Sequence, residues 1–342
     1  MIVYEYYIFY YFKSEWRLIM TTPREYTMDT LTNLLSLDDF DTYYKEADLI
    51  RKENVGDGIQ IRALLEFSNY CKRQCSYCGL NCLNKDIHRF RMTPEEIIES
   101  AIAAHEVGYR TIVLQSGEDP FYNAKLLGDI VKEIKKTSIK ITLSCGELSY
   151  DDYAYLRECG ADRYLLKHET ADESIYKMIH PDATLEQRIT CLKNIKKLGY
   201  ETGSGFMIGL PHQTNETIAK DLLLLKEIGC NMAGIGPFIP HPNTLLKDVP
   251  AGSTELTKRA VALARILLPQ ANLPATTSLG VIDKSQKRSV FDCGANVIMQ
   301  KITPNNLKRF YEIYPSTLSD FSIEQGRKNI EKEIVEMGRI PV

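Results

Sequence analysis

Four of the chain's nine cysteines crowd into "NYCKRQCSYCGLNC" (69–82), as Cys71, Cys75, Cys78 and Cys82. Thiolates at that density hold soft metals or iron–sulfur clusters. The spacing Cys71-x3-Cys75-x2-Cys78 lets three thiolates on one loop wrap a 4Fe–4S cubane and leave one iron an open coordination position for a substrate or cofactor. With Cys82 included, the run also suits a closed four-thiolate cluster that only carries electrons, or a tetrahedral zinc cage. Spacing alone leaves these three open. Cys145, Cys159, Cys191, Cys230 and Cys293 are scattered through regular segments and read as core thiols. An odd cysteine total and no secretory signal argue against a disulfide scaffold and for a reducing, cytoplasmic setting.

The elements that must carry this loop repeat along the chain. Eight β-rich runs alternate with helical segments: 60–69, 111–117, 140–146, 163–169, 201–210, 232–240, 275–280 and 295–300. Several are nearly continuous apolar runs, as parallel strands buried on both faces require. Thr93-Pro94-Glu95-Glu96 and Thr184-Leu185-Glu186-Gln187 open helices as capping boxes, and Ser253-Thr254 opens another. Eight β/α units over 60–315 predict an α/β fold, a (βα)8 TIM-type barrel, with an open doubly wound sheet as the alternative. Barrel chemistry sits at the C-terminal ends of strands. Cys71, Glu118, Glu169 and the loop after Gly209 all fall there. A ferredoxin needs no eight β/α units and a structural zinc site needs no acidic loop ends, so context favours the three-thiolate cluster.

Flanking segments are short. Residues 1–59 read as an N-terminal extension with a helical lead-in, and 316–342 as a helical cap that docks Ile323, Ile330, Ile334 and Met337. The aromatic start is interrupted by charges, and the first ~19 residues read as non-structural, with translation starting at Met20 or Met28. A net charge of −3 gives no push towards nucleic acid or an acidic membrane surface. No apolar run reaches the ~18 residues of a membrane span.

CxxxCxxC after the first strand of a barrel, with Tyr77 just before the last cysteine, resembles the radical S-adenosylmethionine (SAM) superfamily. Within it the chain is similar to the HydE family of FeFe-hydrogenase maturases, through "RMTPEEI", "TIVLQSGEDP", "GADRYLLKHETA", "LGYETGSGFMIGLPHQT", "GIGPFIPHP", "RILLP", "LPATTSLG" and "CGANVIMQ". The resemblance implies a 4Fe–4S cluster on Cys71, Cys75 and Cys78, with Cys82 a bystander, and SAM as second cofactor. It implies reductive cleavage of SAM to methionine and a 5′-deoxyadenosyl radical, in assembly of the diiron part of the hydrogenase cofactor. The implied substrate is a small molecule or a cysteine-bound iron carbonyl–cyanide complex. A ferredoxin- or flavodoxin-type reductant and other hydrogenase maturases are the implied partners.

Site roles follow from the same resemblance. Tyr77, Gln115, Ser116, Gly117, Glu118, Glu169, Arg188, Met232 and Ile235 are assigned to SAM. Ser116-Gly117-Glu118 would offer carbonyls or a carboxylate to its ammonium. Arg188 would pair with its carboxylate, and Glu169 with its ribose. The loop from Gly203 to Gly209 would pass near the adenine, flanked by Met232 and Ile235. Thr142, Arg163, Thr276, Thr277, Met299 and Tyr314 would line the substrate cavity. Strand residues alternate faces, so only one of His168 and Glu169 points inward; Glu169 is the match, and His168 reads as packed. Two rivals remain: a methylornithine or biotin synthase-like enzyme with an organic substrate, weakly favoured by Cys82, and a non-catalytic iron–sulfur carrier. The tail from Tyr314 to Val342 has no cysteine or histidine, which predicts one cluster per chain, since many HydE-like proteins bind a second cluster there.

Overall fold

The computed structural model describes residues 25–315 and 320–342. The expectation for the first 19 residues therefore lies outside the described residues. The described residues form ten strands: β1 (Gly58–Ser68), β2 (Thr111–Ser116), β3 (Lys140–Ser144), β4 (Arg163–Leu165), β5 (Glu201–Ser204), β6 (Met207–Ile208), β7 (Met232–Ala233), β8 (Gly236–Pro237), β9 (Val297–Lys301) and β10 (Ile340–Pro341). Seven form one curled parallel sheet in the order β9-β1-β2-β3-β4-β5-β7. Helices follow the strands and cover the outer face. Ile112, Val113 and Leu114 of β2 are buried consecutively, which explains why that strand reads as an unbroken apolar run.

The gap between β7 and β9 is closed by residues 272–275. Asn272 bridges Met232, and Pro274 bridges Val297. The seventh expected run, 275–280, is thus displaced: the stave comes earlier, and Thr277–Ile282 is a helix. Pro274 lacks an N–H, so this stave joins the barrel by single bridges rather than a ladder. The fifth and sixth runs each break in two, and β6 and β8 pair as a separate parallel extension. Gly205 sits at the first break with φ +152, and a Cβ there would lie 2.1 Å from the Gly234 carbonyl oxygen. The two backbones approach too closely for any other residue.

Thr93 forms the full capping box that its sequence predicts, with Glu96 reciprocating. Thr184 caps Leu185–Lys197 through its side chain. The lead-in helices Met28–Leu35 and Asp41–Val55 pack on the outer helices Asn215–Ile228 and Thr254–Leu267, burying Leu31, Leu35 and Ala47. In the tail, Ile323–Glu336 is helical and buries Ile334. One feature was not expected: β10 adds to the start of β1. Among the described residues, no helix is long and apolar enough to cross a membrane.

Candidate functional site

β1 ends at Ser68, and the loop after it carries the cysteines to the C-terminal mouth of the barrel. Backbone bonds tie this loop to its surroundings: Lys72 N–H donates to the Glu118 carbonyl (3.0 Å), Ser76 N–H to that of Ile179 (2.9 Å) and Gly79 N–H to that of Ile313 (2.9 Å). Gly117 permits the contact with the loop after β2, because a Cβ there would lie 2.2 Å from the Tyr70 oxygen and 2.7 Å from Cys71 Cβ. Arg73 N–H points at Cys71 Sγ (3.4 Å), and His180 Nδ1 lies 3.2 Å from Cys75 Sγ.

Burial raises all three thiols. Cys75 is pushed up further by Cys78 and Cys71, and Cys78, at about 12, by Cys71. They are therefore neighbours that shed protons only when a positive centre takes their place. Cys82 exerts none of these leading effects on them; its N–H caps the Arg73 carbonyl (2.9 Å). Among the described residues no three His, Cys, Asp or Glu side chains converge on a single ion position. A cubane, with each thiolate on its own iron, suits three neighbouring thiols on one loop.

A chain of buried charges spans the mouth beside the cysteines. Glu118 Oε2 accepts from Arg73 Nε (2.6 Å), Arg73 Nη2 donates to Glu147 Oε2 (2.8 Å), and Arg188 Nε donates to Glu147 Oε1 (2.6 Å). Arg188 Nη1 donates to the Lys167 carbonyl (2.6 Å), which leaves Nη2 uncommitted. Burial opposes the charge on Arg188, but Tyr176 and Glu147 more than offset it and hold its pKa above the ordinary value. Arg188 is therefore no solvated helix residue: its side chain is 8% exposed. Glu118 is already engaged, since its Oε1 also accepts from Glu147 N–H (3.1 Å). Its carboxylate ties three loops together, and the neighbouring Gly117 carbonyl accepts from the Asp119 N–H (2.8 Å) and from Ser116 Oγ (2.7 Å).

Inside the barrel lies a cavity of about 230 Å³. Its wall includes Tyr77, Gln115, Glu169, Thr276, Thr277, Met299 and Tyr314, so seven expected site residues meet on one space. Glu169 adopts φ 64, a left-handed conformation that costs a non-glycine residue about 1–3 kcal/mol and gathers at functional sites. Its carboxylate receives Lys167 Nζ (2.9 Å). His168 is fully buried, as expected of the strand neighbour that faces away.

Other expected residues sit elsewhere. Arg163 is the first residue of β4, so it lies at the N-terminal end of the barrel. There it donates to Glu201 (2.6 Å) and Thr111 (3.0 Å), each the first residue of its own strand. Thr142 pairs with it in register and is buried, its hydroxyl unpartnered. Met232 accepts from the buried Arg62 through its sulfur (3.1 Å), and Ile235 is core. None of these four lines the cavity. Sequence reasoning missed Glu66, Lys301 and Tyr311, which do line it, and Glu147 and His180 beside the cysteines. Glu66 receives Lys301 Nζ (2.9 Å). A charge inside the apolar run "QIRALLEFSN" was the available signal, since buried strands exclude unpaired carboxylates.

Comparison with known proteins adds an independent line. A profile of the Radical SAM superfamily matches residues 65–225. The chain is 47% identical over 322 residues to the [FeFe] hydrogenase maturase subunit HydE of Thermotoga maritima, covering 93% of this chain and 92% of that one. It is 29% identical over 286 residues to 3-methylornithine synthase of Methanosarcina acetivorans, covering 82% and 80%. A crystal structure of methylornithine synthase superposes with a TM-score of 0.82 at 24% identity, covering 94% of this chain and 95% of that one, which shows the shared fold. Barrel, cysteine loop and near full-length similarity agree: the chain belongs to the radical SAM superfamily and, within it, to the HydE family.

Proposed function

We propose that this radical SAM enzyme acts in assembly of the diiron cofactor of FeFe hydrogenase; its 47%-identical relative is named as an [FeFe] hydrogenase maturase subunit. That similarity across both whole chains is the observation that carries the reading. Cys71, Cys75 and Cys78 would hold one 4Fe–4S cluster, and the fit rests on three neighbouring half-buried thiols with an amide aimed at one of them. With SAM bound, such a cluster supplies reductive cleavage of the sulfonium to methionine and a 5′-deoxyadenosyl radical. The protein's part is to orient SAM and exclude water. Arg188 Nη2 suits the SAM carboxylate, the Ser116-Gly117-Glu118 stretch its ammonium, and Glu169 its ribose. Tyr77 and Gln115 line the same cavity as Glu169, and on its wall Thr276, Thr277, Met299 and Tyr314 would meet the substrate.

Three outcomes follow. The reconstituted protein, given a low-potential reductant and the other maturation factors, is expected to support activation of FeFe hydrogenase. Methylornithine formed from lysine without maturation would replace this reading with the organic-substrate one. Iron analysis is expected to give about four irons per chain, because the tail offers no second set of thiolates; a reproducible eight with spin coupling would contradict it. Arg188→Leu is expected to weaken SAM binding by about 1.5–3 kcal/mol, the range for a hydrogen bond to a charged group, and unchanged affinity would remove Arg188 from the SAM site.

A further inference from the structure

A second polar cluster lies behind Glu169, sealed from the cavity. His168 N–H donates to Ser204 Oγ (3.2 Å), and the same hydroxyl meets His168 Nδ1 at 2.9 Å. The other ring nitrogen, Nε2, lies 3.4 Å from Asp221 Oδ1. That carboxylate oxygen also accepts the Ala171 N–H. His168 and Asp221 have no solvent exposure, and neither does Ser204. Asp221 comes from the outer helix Asn215–Ile228, Ser204 from the end of β5.

We propose that His168, Ser204 and Asp221 are positioning residues that hold Glu169 in its left-handed conformation and so aim its carboxylate into the cavity. Glu169 sits between the two anchored points, His168 before it and Ala171 after it. Its own backbone is clamped as well, with its N–H on the Gly205 carbonyl (3.0 Å) and its carbonyl receiving Met207 N–H (3.1 Å). Left-handed backbone persists in a non-glycine residue only when its surroundings over-determine it. Here one side chain from the outer helical layer reaches both flanks of the turn.

Simple packing does not account for this set. An apolar residue at 168 or 221 would fill the same space without burying polar atoms, which cost about 1–3 kcal/mol when left unpaired. His168 Nε2 and Asp221 Oδ2 are buried without a well-formed hydrogen bond. Burial, aided by Lys167 and Arg188, lowers His168 to about 3, while burial raises Asp221 well above the carboxylate range. Both shifts favour the uncharged pair. The cluster can then hold the turn without placing a net charge behind Glu169.

This inference rests on the reading of Glu169 as a SAM ligand. The test measures SAM affinity and iron content on reconstituted protein, with the crystallographic φ of residue 169. Asp221→Leu is expected to weaken SAM binding about tenfold at unchanged iron content, with residue 169 leaving positive φ. Asp221→Asn, which keeps an acceptor for the Ala171 N–H, is expected to restore affinity to within about threefold of wild type. Should Asp221→Leu fail to fold, Ser204→Ala removes one hydroxyl only and is expected to cost about fivefold. Wild-type affinity and positive φ in both Asp221→Leu and Ser204→Ala would overturn the proposal. Glu169→Ala separates the two layers. A loss there without loss in Asp221→Leu overturns the positioning role alone. Unchanged affinity in Glu169→Ala overturns the SAM assignment of Glu169, and the φ of residue 169 then decides the positioning role.

Discussion

Alanine at Cys71, Cys75 or Cys78 is expected to abolish cluster binding and with it 5′-deoxyadenosine formation, whereas Cys82→Ser keeps both. The three thiols are half-buried at the barrel mouth; Cys75 senses the charge of Cys78 and Cys71, and Cys78 that of Cys71. Removing one leaves two thiolates for a cluster that needs three protein ligands to stay on the loop. Cys82 serves that loop through its backbone, on the Arg73 carbonyl, and serine preserves this bond. Iron, acid-labile sulfide and the EPR of the reduced protein report binding, and product formation reports cleavage. Loss of the cluster in Cys82→Ser would show a closed four-thiolate site and point to an electron carrier.

Glu147→Leu is expected to destabilise the protein by about 3 kcal/mol, the lower end for removing one partner of a buried ion pair, and to weaken SAM binding in the same variant. Glu147 is 3% exposed at its side chain and is shared by Arg73 and Arg188. Without it, Arg188 keeps only the Lys167 carbonyl and a distant contact with the Tyr176 ring (6.0 Å). Arg73 keeps Glu118, so the uncompensated charge is mainly that of Arg188. Glu147→Gln retains one acceptor and most of the shape, and is expected to cost less. Denaturant unfolding and SAM titration measure the two effects. A Glu147→Leu protein as stable as wild type would show that solvent or Tyr176 already suffices for Arg188.

Periodicity in the sequence determined the barrel and most of its strands, because a strand buried on both faces has to be apolar throughout and a helix end has to satisfy its own N–H groups. The apolar run 111–117 and the Thr93 box depend on neighbours within a few residues, so they stand in the structure where the sequence places them. The cysteine loop was legible for the same reason: one short segment carries all three cysteines. The seventh stave was not. It is held at Asn272 and Pro274 by strands far away in sequence, and nothing local marks it. The position of Arg163 was also hidden, since a strand residue's height in the barrel depends on where the strand begins. Only the tertiary structure brought Glu147, on the loop after β3, between an arginine of the cysteine loop and one of a later helix. Only the tertiary structure set Asp221 of an outer helix against the turn at Glu169. Such pairings cost loop-closure entropy that no local pattern records, and the partner of a buried charge is chosen by the fold rather than by its neighbours in the chain.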